Sequence, residues 1–396
     1  MESILEIFKI GYGPSSSHTM GPKKAAELFR MAYPDASGYR VTLYGSLAAT
    51  GKGHLTDKAI LAALNPISVE LVWESKTFLP FHPNALKLEA LDNKQDVLGT
   101  KTIYSTGGGT IVEENESVEK HSIYPLGTMK AILGWCQSNG RQFWEYIQEY
   151  EKPEIWDYLY EVWKVMKDAV ERGIEEEGVL PGPLKLGRKS ASYYAKAKGF
   201  RGALKRRSML YAFALGVAEE NAGGGKIVTA PTCGSSGVLP SVLYLLHKYN
   251  EFTEKKILKS LATAALIGNL VKRNASIAGA DVGCQGEIGT ACAMASAAAA
   301  QLFGATPAQI EYAAEMGIEH HLGLTCDPIG GLVQIPCIER NPLAAGRALD
   351  CCTFAILSDG HHRISFDQVV CAMKQTGHDL PHIYKETSLG GLAILE

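Results

Sequence analysis

The chain changes texture near Tyr124, and that change limits what it can fold into more than any single motif does. Before it, short β-type runs alternate with helical patterns: VTLYGS at 41–46, ISVELVW at 67–73 and TIYSTGGGTIV at 102–112. After it, helical periodicity takes over, punctuated by Pro-Gly clusters such as VLPGPLKLG. The strongest helical patterns are PEIWDYLYEVWKVMKDAVERGIEEE, LYAFALGVAEEN, VLPSVLYLLHKYN and EKKILKSLATAALIGNLVKRN. The expected fold class is therefore α+β, with an N-terminal α/β domain over 1–130 and a larger all-α domain over 131–396. A length of 396 residues supports two cores rather than one.

Charge excludes some partners. A formal net charge of −3, with Lys and Arg interspersed among acids, offers no basic field for nucleic acid or an anionic membrane surface. The start, MESILEIFKIGYGP, lacks the basic and long apolar regions of a secretory signal, so a cytoplasmic location is expected. Residues Ile288 to Ala305 carry no charge, but the run is mostly Ala, Gly, Ser and Cys and only just long enough for a bilayer. A buried bundle helix is the expectation there. Nine cysteines in a reducing compartment point to free thiols, metal ligation or redox chemistry rather than a disulfide framework.

Three polar loops in the first domain are candidates for chemistry. In GYGPSSSHTMGP, Ser15, Ser16, Ser17, His18 and Thr19 precede an amphipathic helix with Pro22 in its first turn. Unpaired N–H groups and the helix dipole make such a terminus an anion site, although Ser17 or Thr19 serving only as a cap accounts for the same pattern. In TGKGHLTDKAI, Gly51 and Gly53 flank Lys52 and lead to His54, and a positioned histidine is a suitable proton acceptor. The run from Ser105 through Gly107 and Gly108 to Gly109 is either a backbone cradle or a tight turn.

NAGGGK and TAPTCGSSG resemble phosphate-binding loops, yet they match no nucleotide-binding spacing, and no lysine stands in a Schiff-base context for pyridoxal phosphate. Cys284, Cys326 and Cys337 lie in glycine- and proline-rich loops beside polar residues, unlike the thiols within helical patterns. Their spacing is not that of a ferredoxin, and zinc with a histidine remains an alternative on pattern alone.

Taken together, GPSSSHTMGP, YGSLAATGKGH, YSTGGG, EGVLPGPL, NAGGGKIVTAPTCG, NASIAGADVGCQGE, EHHLGLTCDPIGGLVQIPCIERN and YKETSLGGLA resemble, in order and over nearly the whole chain, the iron–sulfur-dependent L-serine dehydratase family. This family is distinct from the pyridoxal phosphate dehydratases. Its cluster cysteines are separated by 41 and then 10 residues, as Cys284, Cys326 and Cys337 are here. The resemblance implies a [4Fe-4S] cluster on these three thiolates, with one iron open to the substrate, L-serine. Cys233 falls where the family accepts other residues and is not an expected ligand.

The same resemblance implies that His54 removes the Cα proton and that the SSSHT loop holds the substrate carboxylate. Lys52, Ser105, Gly107 and Gly108 are lesser substrate-binding candidates. The active site is then expected between the domains, in a homodimer with neither nucleic acid nor membrane as partner. Two departures stand out. The region between His54 and YSTGGG is shorter than in many members, and no cysteine follows GGLA. Rival readings are a related lyase acting on L-threonine or L-cysteine, and a non-catalytic iron–sulfur sensor, which has no use for the histidine loop.

Overall fold

The computed structural model describes residues 1–113 and 122–395. The first part is a five-stranded sheet of order β3-β2-β4-β5-β6, built from β2 (Gly38–Tyr44), β3 (Ser68–Glu74), β4 (Asn84–Leu91), β5 (Val97–Gly107) and β6 (Thr110–Glu113). Only β2 and β3 pair in parallel. A parallel pair needs a crossover, and the helices Gly45–Thr50 and Thr56–Leu64 supply it.

Strand alternation sets the buried face. Tyr39, Val41 and Leu43 of β2 stand opposite Ala90, Leu88 and Leu86 of β4, and all six are buried. Phe29 of the helix Gly21–Ala32 and Ile60 of the crossover close this core from above. TIYSTGGGTIV forms two strands rather than one. Gly107, Gly108 and Gly109 all have positive φ and turn β5 into β6.

The second part is helical, and each expected helix is present. Ile155–Glu175, Gly202–Ala222, Val238–Asn250 and Glu254–Asn274 match the four patterned segments. The uncharged run forms the helix Thr290–Leu302, whose alanines are fully buried among its neighbours. Among the described residues no helix is long and apolar enough to cross a membrane.

The two parts are laced together by the N-terminus. β1 (Ile10–Tyr12) pairs antiparallel with β7 (Lys226–Val228) of the helical part. Met1, Ile4, Ile7 and Phe8 pack into the helical core, not against the sheet.

Small residues allow close helix approach. A Cβ on Gly173 would stand 2.3 Å from the carbonyl of Gly216 on the crossing helix, and a backbone cannot swing aside as a side chain can. Gly173→Ala is therefore expected to destabilise the fold by about 3 kcal/mol, the upper end of overpacking costs. Gly134→Ala, with nothing within 4 Å of the new methyl, is the control that should be neutral or stabilising. Urea midpoints of the two variants check both signs.

Candidate active site

Between the sheet and the helical part, two loops of the first part meet the tail of the chain. Ser15 is extended and its Oγ accepts from the His18 N–H at 3.1 Å, so Ser15, rather than Ser17 or Thr19, is the cap. Residues Ser16–Met20 form one wide turn that runs directly into the helix Gly21–Ala32. The N–H groups of Ser16 and Ser17 have no partner among the described residues. They remain available to an anion.

The loop is buried, and His18 is fully so. Thr19 Oγ1 donates to the main-chain oxygen of His54 at 2.7 Å, and Thr56 Oγ1 donates to that of His18 at 2.6 Å. These reciprocal bonds lock the SSSHT and GKGH loops together. Ser46 Oγ donates to the main-chain oxygen of Glu386 at 2.8 Å and lies 3.1 Å from His18 Nε2, so the imidazole proton belongs on Nε2. Nδ1 then accepts from Ser17 Oγ at 2.9 Å.

His54 is different. It is 1% exposed, its Nδ1 has no partner, and its ring stands 4.4 Å from that of His18. Burial pushes its pKa down to about 3, and burial likewise holds His18 well below the usual histidine range. Both imidazoles are neutral, the form that accepts a proton. Glu386 Oε1 lies 4.0 Å from His54 Nε2 and 3.5 Å from His18 Nδ1.

Glu386 also reaches the thiols. Its N–H donates to the Cys326 oxygen at 2.7 Å, and the Cys326 N–H donates to the Tyr384 oxygen at 2.8 Å, a short bridge that aligns the tail with the cysteine loop. Cys284 follows Gly283, whose φ is +75°, at the mouth of the turn Gln285–Gly289. Cys337 opens the helix Cys337–Leu357.

All three thiols are free. Contact with the Cys326 thiol, and after it the Arg340 guanidinium, brings Cys284 down to about 6, whereas Cys326 and Cys337 are pushed up. One thiolate is thus already favoured, and its charge is felt by both other thiols and by Glu386.

This donor set suits an iron–sulfur cluster. The thiols of buried Cys284 and Cys326 and half-buried Cys337 all act on the Arg340 guanidinium, and soft thiolates select such clusters. They are not among the described groups compact enough for a single ion, which comprise only His18, His54 and Glu386. Cys233 is buried with its sulfur 3.5 Å from Met20 Sδ. Cys136, Cys292, Cys351 and Cys352 lie in the helical core, and Cys371 is exposed.

Other expected residues fall differently. Lys52 is exposed, its Nζ 5.7 Å from the Trp73 ring centroid, on the rim of a cavity of about 340 Å³ shared with Pro14, Gly53, Lys58 and Gln334. Ser105 is fully buried, its hydroxyl unpartnered. Gly107 and Gly108 press on Ala278 and Ile277 of the segment leading to Cys284, where a Cβ would meet them at 3.1 and 3.2 Å. They form a seam between the two parts.

Five residues near these groups were not singled out from the sequence: Glu386, Ser46, Arg340, Asn84 and Glu287, whose carboxylate lies 3.9 Å from Cys326 Sγ. Glu386 and Ser46 sit inside the quoted segments YKETSLGGLA and YGSLAATGKGH, which is the signal that was there to find. Asn84 is fully buried at the start of β4, and neither end of its amide has a partner.

A family model described as serine dehydratase beta chain matches residues 3–72, and one described as serine dehydratase alpha chain matches residues 89–393. L-serine dehydratases of Streptomyces coelicolor and Haemophilus influenzae are each 40% identical, over 99% and 100% of this chain and 98% and 99% of their own lengths. L-serine dehydratase 2 of Escherichia coli is 39% identical over 100% of this chain and 99% of its own. Fold and matches together define an enzyme of the lyase class. The chain belongs to the serine dehydratase family.

Proposed function

We propose that this protein is an L-serine ammonia-lyase that converts L-serine to pyruvate and ammonia, with Cys284, Cys326 and Cys337 holding a [4Fe-4S] cluster. The observation that carries this reading is a buried His54 beside Glu386, whose own main chain is bonded to the Cys326 loop among the free thiols. A cluster on three protein thiolates supplies, when bound, a Lewis-acidic iron with an open position for the substrate hydroxyl.

The chain's own groups do the rest. The free N–H groups of Ser16 and Ser17, at the start of a continuous helical run, hold the substrate carboxylate with the help of the helix dipole. The Ser17 hydroxyl stays turned to His18, so that residue orients the loop and does not itself take a proton. His54 accepts the Cα proton at Nε2, the ring nitrogen facing Glu386. Burial of the pocket excludes water until elimination has produced aminoacrylate, whose imine tautomer hydrolyses to pyruvate and ammonia. Lys52 acts at most on the approach of an anionic substrate, since its ammonium sits outside the histidine pocket.

This reading places the protein in the cytoplasm, where a reducing pool keeps such thiols free, and as a homodimer. Protein purified without oxygen should contain stoichiometric iron and sulfide, release pyruvate from L-serine, and show an iron signal in its Mössbauer spectrum that shifts when serine is added. A higher kcat/KM for L-threonine or L-cysteine would reassign the substrate. Iron and sulfide without pyruvate from any β-hydroxy amino acid would favour a sensor.

A further inference from the structure

We infer that Glu386 is the receptor for the substrate's α-ammonium group, and so the residue that makes this site select amino acids over the corresponding acids without an amino group. The inference rests on the proposed function, specifically on His54 Nε2 taking the Cα proton.

The tail is shaped to present this side chain. Glu386 adopts φ +56°, a left-handed conformation uncommon for a residue of its kind. Its N–H is fixed by the Cys326 oxygen in the helical part and its main-chain oxygen by Ser46 Oγ in the sheet part. The carboxylate thereby lies beside the His18 and His54 rings, and the residue is 6% exposed.

Buried carboxylates are normally paired with a cation. Among the described residues the only basic groups within ion-pair distance of Glu386 are His18 and His54. Neither supplies a charge, because burial keeps both neutral. His18 does not donate a proton to it either, since its Nδ1 accepts from Ser17 Oγ and its Nε2 faces Ser46 Oγ. The Ala280 N–H faces the carboxylate, while Arg340 is directed to Cys284. Among the described residues the buried carboxylate thus has no protein cation to pair with.

The reaction brings the missing charge. A base positioned for proton removal stands about 3–3.5 Å from its target. The nitrogen on that same carbon is one bond of about 1.46 Å from it. Glu386 Oε1, 4.0 Å from His54 Nε2, is then within reach of a charge-assisted hydrogen bond from the ammonium. One geometry serves both groups.

L-Alanine and propionate differ in the ammonium group alone, and neither has a hydroxyl to eliminate. Their binding to anaerobic holoenzyme is read by calorimetric titration and, independently, as inhibition of pyruvate formation. Wild-type protein should prefer alanine. Glu386→Gln should weaken alanine by about 10- to 100-fold, the range for a hydrogen bond to a charged group, and leave propionate within about threefold. The KM for serine should rise in parallel with the loss of alanine binding. If Gln yields no folded holoenzyme, Glu386→Asp decides, because shortening the side chain should still weaken alanine and spare propionate.

An unchanged preference for alanine in these variants, with wild-type enzyme still making pyruvate from serine, would overturn the inference and leave the function standing. Equal weakening of both ligands would make Glu386 a structural anchor of the tail and overturn it too. A stoichiometric divalent ion beyond the cluster iron, lost on Glu386→Gln, would instead make His18, His54 and Glu386 a metal site. Failure of wild-type enzyme to make pyruvate would sink the functional reading, whichever way the alanine comparison falls.

Discussion

His54→Ala should lower kcat for pyruvate formation by about 10²- to 10⁴-fold, the usual contribution of a positioned general base, with iron and sulfide content unchanged. The size of the effect follows from how isolated the imidazole is. Its Nδ1 has no partner and its Nε2 faces only Glu386, so truncation removes no hydrogen bond that holds the loops. The bond that does hold them runs from Thr19 Oγ1 to the main-chain oxygen of His54, and alanine keeps that oxygen. A loss of rate can then be read as lost proton transfer rather than lost structure. KM for serine should change little, because the carboxylate is held by Ser16 and Ser17. Pyruvate formation within a few-fold of wild type would remove His54 from the role of base.

The same contrast between main chain and side chain explains how legible the protein was in its sequence. Helices with strong 3.6 periodicity, such as Ile155–Glu175, were readable because their own residues carry the pattern. β4 was missed. Its run NALKLEAL alternates correctly, but Lys87 and Glu89 on the outer face dilute the β signal. β1 and β7 are three residues each and gain their pairing only from partners more than 200 positions away. No local pattern encodes such a pair.

The site follows the same rule. His54 was singled out because a glycine-rich polar loop leads to it, and the cysteines because a family resemblance supplied their spacing. Glu386 was not, since its meaning lies in a contact made across 340 positions to Ser46 and in the burial that follows. The SSSHT loop was read as a single anion site. In the structure its side chains are divided among capping, loop locking and imidazole orientation, which leaves the backbone N–H groups for the anion. Lys52 carries charge in a glycine-rich loop, a pattern that cannot distinguish a side chain turned inward from one resting on Trp73.

Cys326→Ser should abolish the cluster. Serine preserves the main-chain bonds from Cys326 to Tyr384 and Glu386, so the tail keeps its course and the fold survives. The sulfur itself is what Cys284 contacts, and a hydroxyl is a hard, weakly acidic substitute for a soft thiolate. Loss of an outer-shell partner already costs about 10- to 100-fold in metal affinity, and loss of a ligand should cost more. Anaerobically purified Cys326→Ser should therefore lack stoichiometric iron and sulfide and form no measurable pyruvate, while its circular dichroism matches the wild type. Cys233→Ser is the informative counterpart. Its thiol is buried against Met20 and falls outside the family's cysteine spacing, so iron, sulfide and turnover should all persist. A full cluster in Cys326→Ser, or a lost one in Cys233→Ser, would show that the wrong thiols had been chosen from the nine.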